Sequence, residues 1–515
     1  MAIPWQTFPI EFKGGLISNL SPLQQGTNAI GSATILQNFE PNKEGGYTKV
    51  KGFSKFSSTQ VTGSGELKGV KVVDATTVIA ARKNSNNRTQ FFKSTGSSWT
   101  ALTENTNSTE GNKVRSADFN IDGTSKIVFV DGVNYPCIYN TSNSSLTHLT
   151  TPSDIQGSEH VVVFKGTAFY SKGNKLNFTA PFTVDDFSAA NGAGVINVID
   201  NVTGLIVFRE QLIVFTEKTV KKLVGNTTAD FRLEPITERI GCIDADTIQE
   251  FGGDVIYLAP DGVRLLSATD RIGDFGLDVP SDKIPKDFRD FLINSTSYCS
   301  VVLQSKAQYR VFNYQASQKA GSSRGLIATK FIAQGASNIA FSTIRGIKAK
   351  VADSKVVGSD ELSVIGNDSG YVYKIEDGNN FDGASINSIY ESPFMPLTDP
   401  ELRKTFYKLT VFAAPTSNMS FNVKLRYNFS HSGDPSVLEP SSYTINNEAN
   451  VSSFLFGGGS ATFGVANYGT NLKKEFPLNV QGSGTTISIR IEDNSTNPTY
   501  TLDTALLEFA NRDRK

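Results

Sequence analysis

Histidines, cysteines and clustered carboxylates are the side chains from which metal sites and acid–base catalysis are most often built. The three histidines, His148, His160 and His431, stand far apart, and none has a ligand spacing. Histidines so isolated are expected to be structural. Cys137, Cys242 and Cys299 form no CxxC pair, so buried thiols are expected rather than a disulfide framework or a zinc site. Asp118, Asp122 and Asp131 lie closer together. The run Asp118-Phe119-Asn120-Ile121-Asp122-Gly123 has the outline of a calcium loop but lacks a closing glutamate, and a β-turn with a capping aspartate accounts for it more simply. No GxSxG elbow, HExxH helix or GxxxxGK[ST] loop occurs. Carboxylates are plentiful, and only the fold could bring two of them together as a glycosidase pair. Glycan-cleaving propellers usually carry Asp-box turns ending in tryptophan, and Trp5 and Trp99 sit in no such motif. The expectation is a chain with no catalytic, metal-binding or cofactor-binding residues.

The elements that would hold any site are strands. Across 515 residues, 38% are hydrophobic and 19% charged, with a formal net charge of -1. That balance lacks the basic footprint of a protein that grips nucleic acid. Short apolar runs recur from about Glu66 to Asp382, among them Thr77-Val78-Ile79-Ala80, Ile127-Val128-Phe129-Val130 and Val255-Ile256-Tyr257-Leu258. Each has strand length and is rich in β-branched or aromatic residues. Several occur as pairs around tight turns, at Lys165-Gly166, Arg209-Glu210 and Asp261-Gly262. The best helical stretch is Pro285-Lys286-Asp287-Phe288-Arg289-Asp290-Phe291.

The runs repeat at roughly 40–50 residues, the length of a four-stranded propeller blade. The reading is an all-β chain with a β-propeller of about six blades over residues 61–384, a sandwich array being the weaker interpretation. Longer alternating strands follow, such as Phe421-Asn422-Val423-Lys424-Leu425-Arg426-Tyr427, and predict an antiparallel β-sandwich over 385–515. Residues 1–60 read as an irregular arm that supplies a strand to close the propeller. The start Met1-Ala2-Ile3-Pro4-Trp5 lacks a basic stretch followed by an apolar one, so no signal peptide is expected. No apolar run approaches the roughly 18–20 residues of a membrane span.

Several short motifs carry a resemblance in shared order. They are Phe12-Lys13-Gly14-Gly15-Leu16, Asn38-Phe39-Glu40-Pro41, Gly45-Gly46-Tyr47 and Gly52-Phe53, then Ile240-Gly241-Cys242 and the run from Gly253 to Gly262. Ala268-Thr269-Asp270-Arg271-Ile272-Gly273-Asp274, Gly370-Tyr371-Val372-Tyr373, Phe381-Asp382-Gly383 and Asp399-Pro400-Glu401-Leu402-Arg403-Lys404-Thr405 complete the series. The chain thereby resembles the tail nozzle proteins of short-tailed podovirus bacteriophages, also called tail tubular protein B or phage stabilization proteins. The resemblance implies a non-enzymatic virion protein, assembled in the bacterial host cytoplasm and incorporated into the viral tail. It implies a homo-oligomer, a hexameric ring, that meets the tail adaptor protein and tail fibre or needle proteins and lets duplex DNA pass without specific binding. A receptor-binding tail component and a glycan-cleaving propeller are the alternative readings. Within the polar stretch 315–325, Gln315, Gln318, Lys319 and Arg324 are the candidate gate or contact residues, against an ordinary exposed connection between strands.

Overall fold

Apolar runs of strand length, separated by residues that tolerate tight turns, can bury both faces only by stacking sheet against sheet. The computed structural model of the chain, which describes residues 5–103, 109–121, 124–267, 279–333, 336–416, 418–430, 442–447 and 474–512, is built in this way. Blades 1 to 4 are four-stranded antiparallel sheets whose first strands are Ser64–Val72, Arg115–Ile121, His160–Phe164 and Val202–Phe208. Blade 5 has three described strands, Gln249–Phe251, Asp254–Ala259 and Gly262–Leu265. Blade 6 runs from Ser297–Leu303 to Ala336–Arg345, and blade 7 from Val351–Val357 to Val372–Ile375.

The first strands pack in cyclic order. That of blade 2 lies against blade 3, blade 3 against 4, blade 5 against 6, blade 6 against 7, and blade 7 against 1. Blade 4 reaches blade 5 through the turn Ala245–Thr247, and the Val114 amide joins blade 2 to the Lys68 carbonyl of blade 1. Separate apolar clusters fill the gaps between neighbouring blades, except that between blades 5 and 6, which is continuous with the sandwich core; Phe91 and Phe129, 4.9 Å apart, lie in the one between blades 1 and 2. The sheets therefore form a seven-bladed propeller around a central axis. The expected count of about six was one short, because blades 3 and 4 are joined only through residues 198–201 and their apolar runs merge in the sequence.

The paired runs form hairpins. Lys165 and Gly166 take φ values of 48° and 74°, as a two-residue turn with the twist of its strands requires. Arg209 and Glu210 make the same turn without glycine, at 46° and 59°. The helical stretch forms Pro285–Leu292 and buries Phe288 and Phe291.

The lead-in is more ordered than its composition suggests. Phe53–Lys55 pairs with Val372–Ile375 and becomes the fourth strand of blade 7. Upstream, Gln6–Glu11 and Tyr47–Lys49 pair with Tyr500–Asn511, and Ile35–Gln37 pairs with Ile386–Glu391. The sandwich thus draws strands from both ends of the chain, and its boundary is not at residue 385 alone. Nor is it a separate body. Ile35–Gln37 also lies parallel to the outer strand of blade 6, so blade and sandwich share one nine-stranded sheet.

Buried charges fix this seam. Lys49 and Asp493 are both fully buried, with Nζ 2.9 Å from the carboxylate and also donating to the carbonyls of Ser495 and Asn497. Glu40 of the lead-in and Glu376, just past the last strand of blade 7, clasp Arg310 of blade 6 at 2.8 and 2.7 Å; Lys306 bridges the same two carboxylates. Burial would raise the Glu376 carboxyl, but Arg310 and Lys306 outweigh it and hold it at about 2.

Two predictions follow from these pairs. Lys49→Met strands a buried carboxylate and is expected to cost about 3–5 kcal/mol, read as a lowered urea midpoint; Lys49→Met with Asp493→Leu should recover part of the loss. Because the folded value of Glu376 lies below its ordinary 4.5, its stabilisation is present above 4.5 and lost as pH falls towards 2. Glu376→Gln should flatten the decline of the unfolding midpoint across that window, and an unchanged slope would refute the assignment.

Candidate functional site

The first strands of the blades all start at one face of the propeller, and there charged residues gather. Glu66 and Lys68 come from blade 1, Lys113 and Arg115 from blade 2, Glu159 from the start of blade 3, Asp244 and Asp246 from the approach to blade 5, and Lys350 from that to blade 7. With Asn112, Asp131 and Ser297, most of these line a cavity of about 350 Å³ over the axis. A mouth of this size could hold a small ligand.

Its charges are turned on one another. The Arg115 guanidinium is bidentate on Asp246, Nε at 2.9 Å and a terminal nitrogen at 3.0 Å, and Lys113 Nζ lies 2.6 Å from the same carboxylate. Blades 2 and 5 are three places apart in a ring of seven, so these contacts cross the axis. Asp246 is half-buried, which opposes ionisation, yet Arg115 and Lys113 hold its carboxyl far below the usual range. Asp244 accepts from the amides of Asp246 and Tyr298 at 3.0 and 3.1 Å, fixing the turn that presents Asp246. On the other side, Lys350 lies 3.3 Å from Glu66 and 4.5 Å over the Tyr314 ring, while Tyr314 donates to Glu66 at 3.2 Å. Lys68 continues the chain of charge to Glu110 at 3.1 Å.

The other end of the axis repeats the pattern. Lys71 and Lys355 each lie 3.2 Å from Asp118, and Lys71 is 3.9 Å from Asp353. Asp118 is therefore an inter-blade ion partner. Asp131 sits at the opposite end of its hairpin and caps a turn, accepting from the amides of Val133 and Asn134 at 3.0 and 2.7 Å. The two do not meet, and Asp122 lies outside the described residues. Among the described residues no group of His, Cys, Asp and Glu is placed to hold a metal.

His160 is buried beside this network; burial first, then the Arg115 charge, lowers its imidazole to about 3, so it is neutral above that pH. His148 is buried in the outer strand of blade 2, and His431 lies outside the described residues. All three cysteines are free and buried, and burial pushes the Cys242 and Cys299 thiols up to about 12.

The stretch 315–325 joins the second and third strands of blade 6 on the same face as the mouth. Gln315 donates to the Ile293 carbonyl at 2.7 Å, Arg324 to the Asp290 carbonyl and Gln318 to that of Ser322; Lys319 is exposed. Gln315 and Arg324 thus hold this loop to the helix Pro285–Leu292 and the residue after it.

Sequence reading missed the cross-axis network because its members are far apart in the chain. Aligning the units on their first strands would have raised it, since Lys113, Glu159, Asp244, Asp246 and Lys350 all fall at or just before a unit's start. Asp246→Asn removes one acceptor from two cations in a partly buried setting, so a loss of about 1–3 kcal/mol is expected. The check is a denaturant titration of wild type and variant, and a loss that vanishes in an Arg115→Met background would place the effect in this pair.

Comparison with known proteins returns no matching family model and no matching curated protein. Among solved structures, the chain is similar to the WD40 repeats of RRP9, with 11% identity and a TM-score of 0.40 over 64% of this chain and 99% of that one. It is also similar to the extracellular domain of a protein described as a hybrid two-component system from B. thetaiotaomicron, at 10% identity and a TM-score of 0.39; 61% of this chain aligns and covers 40% of that chain's length. An exo-beta-1,3-galactanase from Phanerochaete chrysosporium, solved with galactose, aligns at 10% identity and a TM-score of 0.26, over 89% of this chain and 100% of that one.

Proposed function

We propose that the chain is a structural, non-catalytic subunit of the distal tail ring, the nozzle, of a short-tailed bacteriophage. In this reading several copies, six by family resemblance, close a ring beneath the tail adaptor, meet fibre or needle proteins, and surround the path taken by duplex DNA. The observation that favours a structural role is the cross-axis ion pairing: Arg115 and Lys113 are engaged with Asp246, and Arg115 also lies 3.7 Å from Asp244, where a propeller enzyme would need groups free to act on substrate. The motifs that carry the resemblance offer further support. Gly15, Asn38, Glu40 and Tyr47 lie at the seam that joins propeller and sandwich, and Gly52 and Phe53 pack against Asn380 and Phe381 where the lead-in completes blade 7, which suits a part used as one stiff body. Near-neutral charge also suits a conduit, since each neutralised phosphate would add affinity through counterion release.

A cryo-EM reconstruction of the tail of virions carrying this protein tests the reading. Density for the seven-bladed propeller in a ring around the distal channel is the expected result. Density at the tail periphery, off the channel axis, would refute it and favour receptor binding.

A further inference from the structure

Lys404, which opens the sandwich strand Lys404–Pro415, is fully buried, yet it makes no ion pair among the described residues. Its Nζ donates instead to three backbone carbonyls, those of Asp399, of Leu402 at 3.0 Å and of Thr485 at 3.2 Å. A buried cation is ordinarily matched by an anion. Burial lowers this ammonium below its ordinary value, and the charge of Asp399 only partly offsets the effect.

The Asp399 carbonyl belongs to an aspartyl–prolyl peptide bond, Asp399–Pro400, on an exposed turn. The Leu402 amide donates to the same oxygen at 3.3 Å, so two donors converge on it. The Asp399 carboxyl is folded towards that bond as well. Its Oδ1 accepts from the Glu401 amide at 2.9 Å, and the ring which this hydrogen bond closes contains the Asp399–Pro400 bond.

We propose that Asp399–Pro400 is a self-cleavage site, with the Lys404 ammonium and the Leu402 amide as its oxyanion hole. A carboxyl oxygen of Asp399 bonds to the carbon of the residue's own backbone carbonyl and closes a five-membered ring. The carbonyl electron pair moves onto its oxygen, where the two donors hold the negative charge. That charge exists only in the intermediate. A cation with no counter-ion in the resting fold gains one there, and so favours the reacting state over the ground state. On collapse the C–N bond breaks with its electron pair on the Pro400 nitrogen, which takes the proton given up by the carboxyl. The cyclic anhydride left at residue 399 adds one water and opens to two carboxyls. Each chain reacts once and only on itself, so the inference does not rest on the virion reading and gives the subunit no activity on other molecules. The two pieces would stay together, because Ile386–Glu391 pairs with Ile487–Ser495 and Gln6–Glu11 with Tyr500–Asn511 across the cut.

Incubation of the folded full chain at about pH 5, where carboxyls of ordinary pKa begin to hold a proton, tests the proposal. Mass spectrometry of the denatured products should find a fragment that ends at Asp399 and one that begins Pro400-Glu401-Leu402. The sequence has a second aspartyl–prolyl bond, Asp434-Pro435, which serves as an internal standard. In the folded protein the first bond should break at least about tenfold faster than the second, and in urea the two rates should converge. Asp399→Ser keeps an acceptor for the Glu401 amide and should abolish the cut. Lys404→Met, with circular dichroism and urea midpoint retained, should slow it to the rate of the standard. A rate ratio no higher in the folded protein than in urea, a cut that persists in Asp399→Ser, or an undiminished rate in folded Lys404→Met would each overturn the proposal.

Discussion

A circular array of sheets is only as strong as the joint between its last blade and its first. In this chain the joint depends on residues that precede the first blade: Phe53–Lys55 completes blade 7, and it can do so only if the lead-in is held to both the propeller and the sandwich. Charge burial does that holding. Glu40 sits between Arg310 and Lys306, and Lys49 is enclosed with Asp493, so misplacing the lead-in would strand the buried Asp493 and leave Arg310 and Lys306 with Glu376 as their one remaining carboxylate. Apolar packing alone would tolerate a range of paths. A buried ion pair admits far fewer.

Strand content, the hairpins at Lys165-Gly166 and Arg209-Glu210, and the helix at Pro285 were legible in the sequence because each is a local pattern of apolar spacing and turn residues. The sandwich strands were legible for the same reason, down to the alternation of Phe421, Val423 and Leu425. What escaped was non-local. Gln6–Glu11 looks like loose chain until it pairs with Thr504–Phe509 nearly 500 positions away, and a parallel pairing as brief as Gln37 with Thr343 leaves no periodic trace. The mouth was illegible on the same ground: Arg115 and Asp246 are unremarkable charged residues until the ring sets them face to face.

The mouth also shows how a propeller can close its own axis. Seven first strands surround a central gap. Ion pairs reach across it at one end from blade 2 to blade 5, and at the other they link blades 1, 2 and 7. The crossing from blade 2 to blade 5 joins blades that are not neighbours in the ring, adding a tie that the sheets themselves cannot provide.

The shared sheet has a mechanical consequence. From the first strand of blade 6 to the far edge of the sandwich, nine strands are linked in series by backbone hydrogen bonds, and at the crossing Asn38 adds bonds to both Thr343 and Arg345. Bending there would shear a ladder instead of flexing a linker. Torque applied to the sandwich is therefore carried to the propeller through backbone hydrogen bonds as well as through side-chain packing.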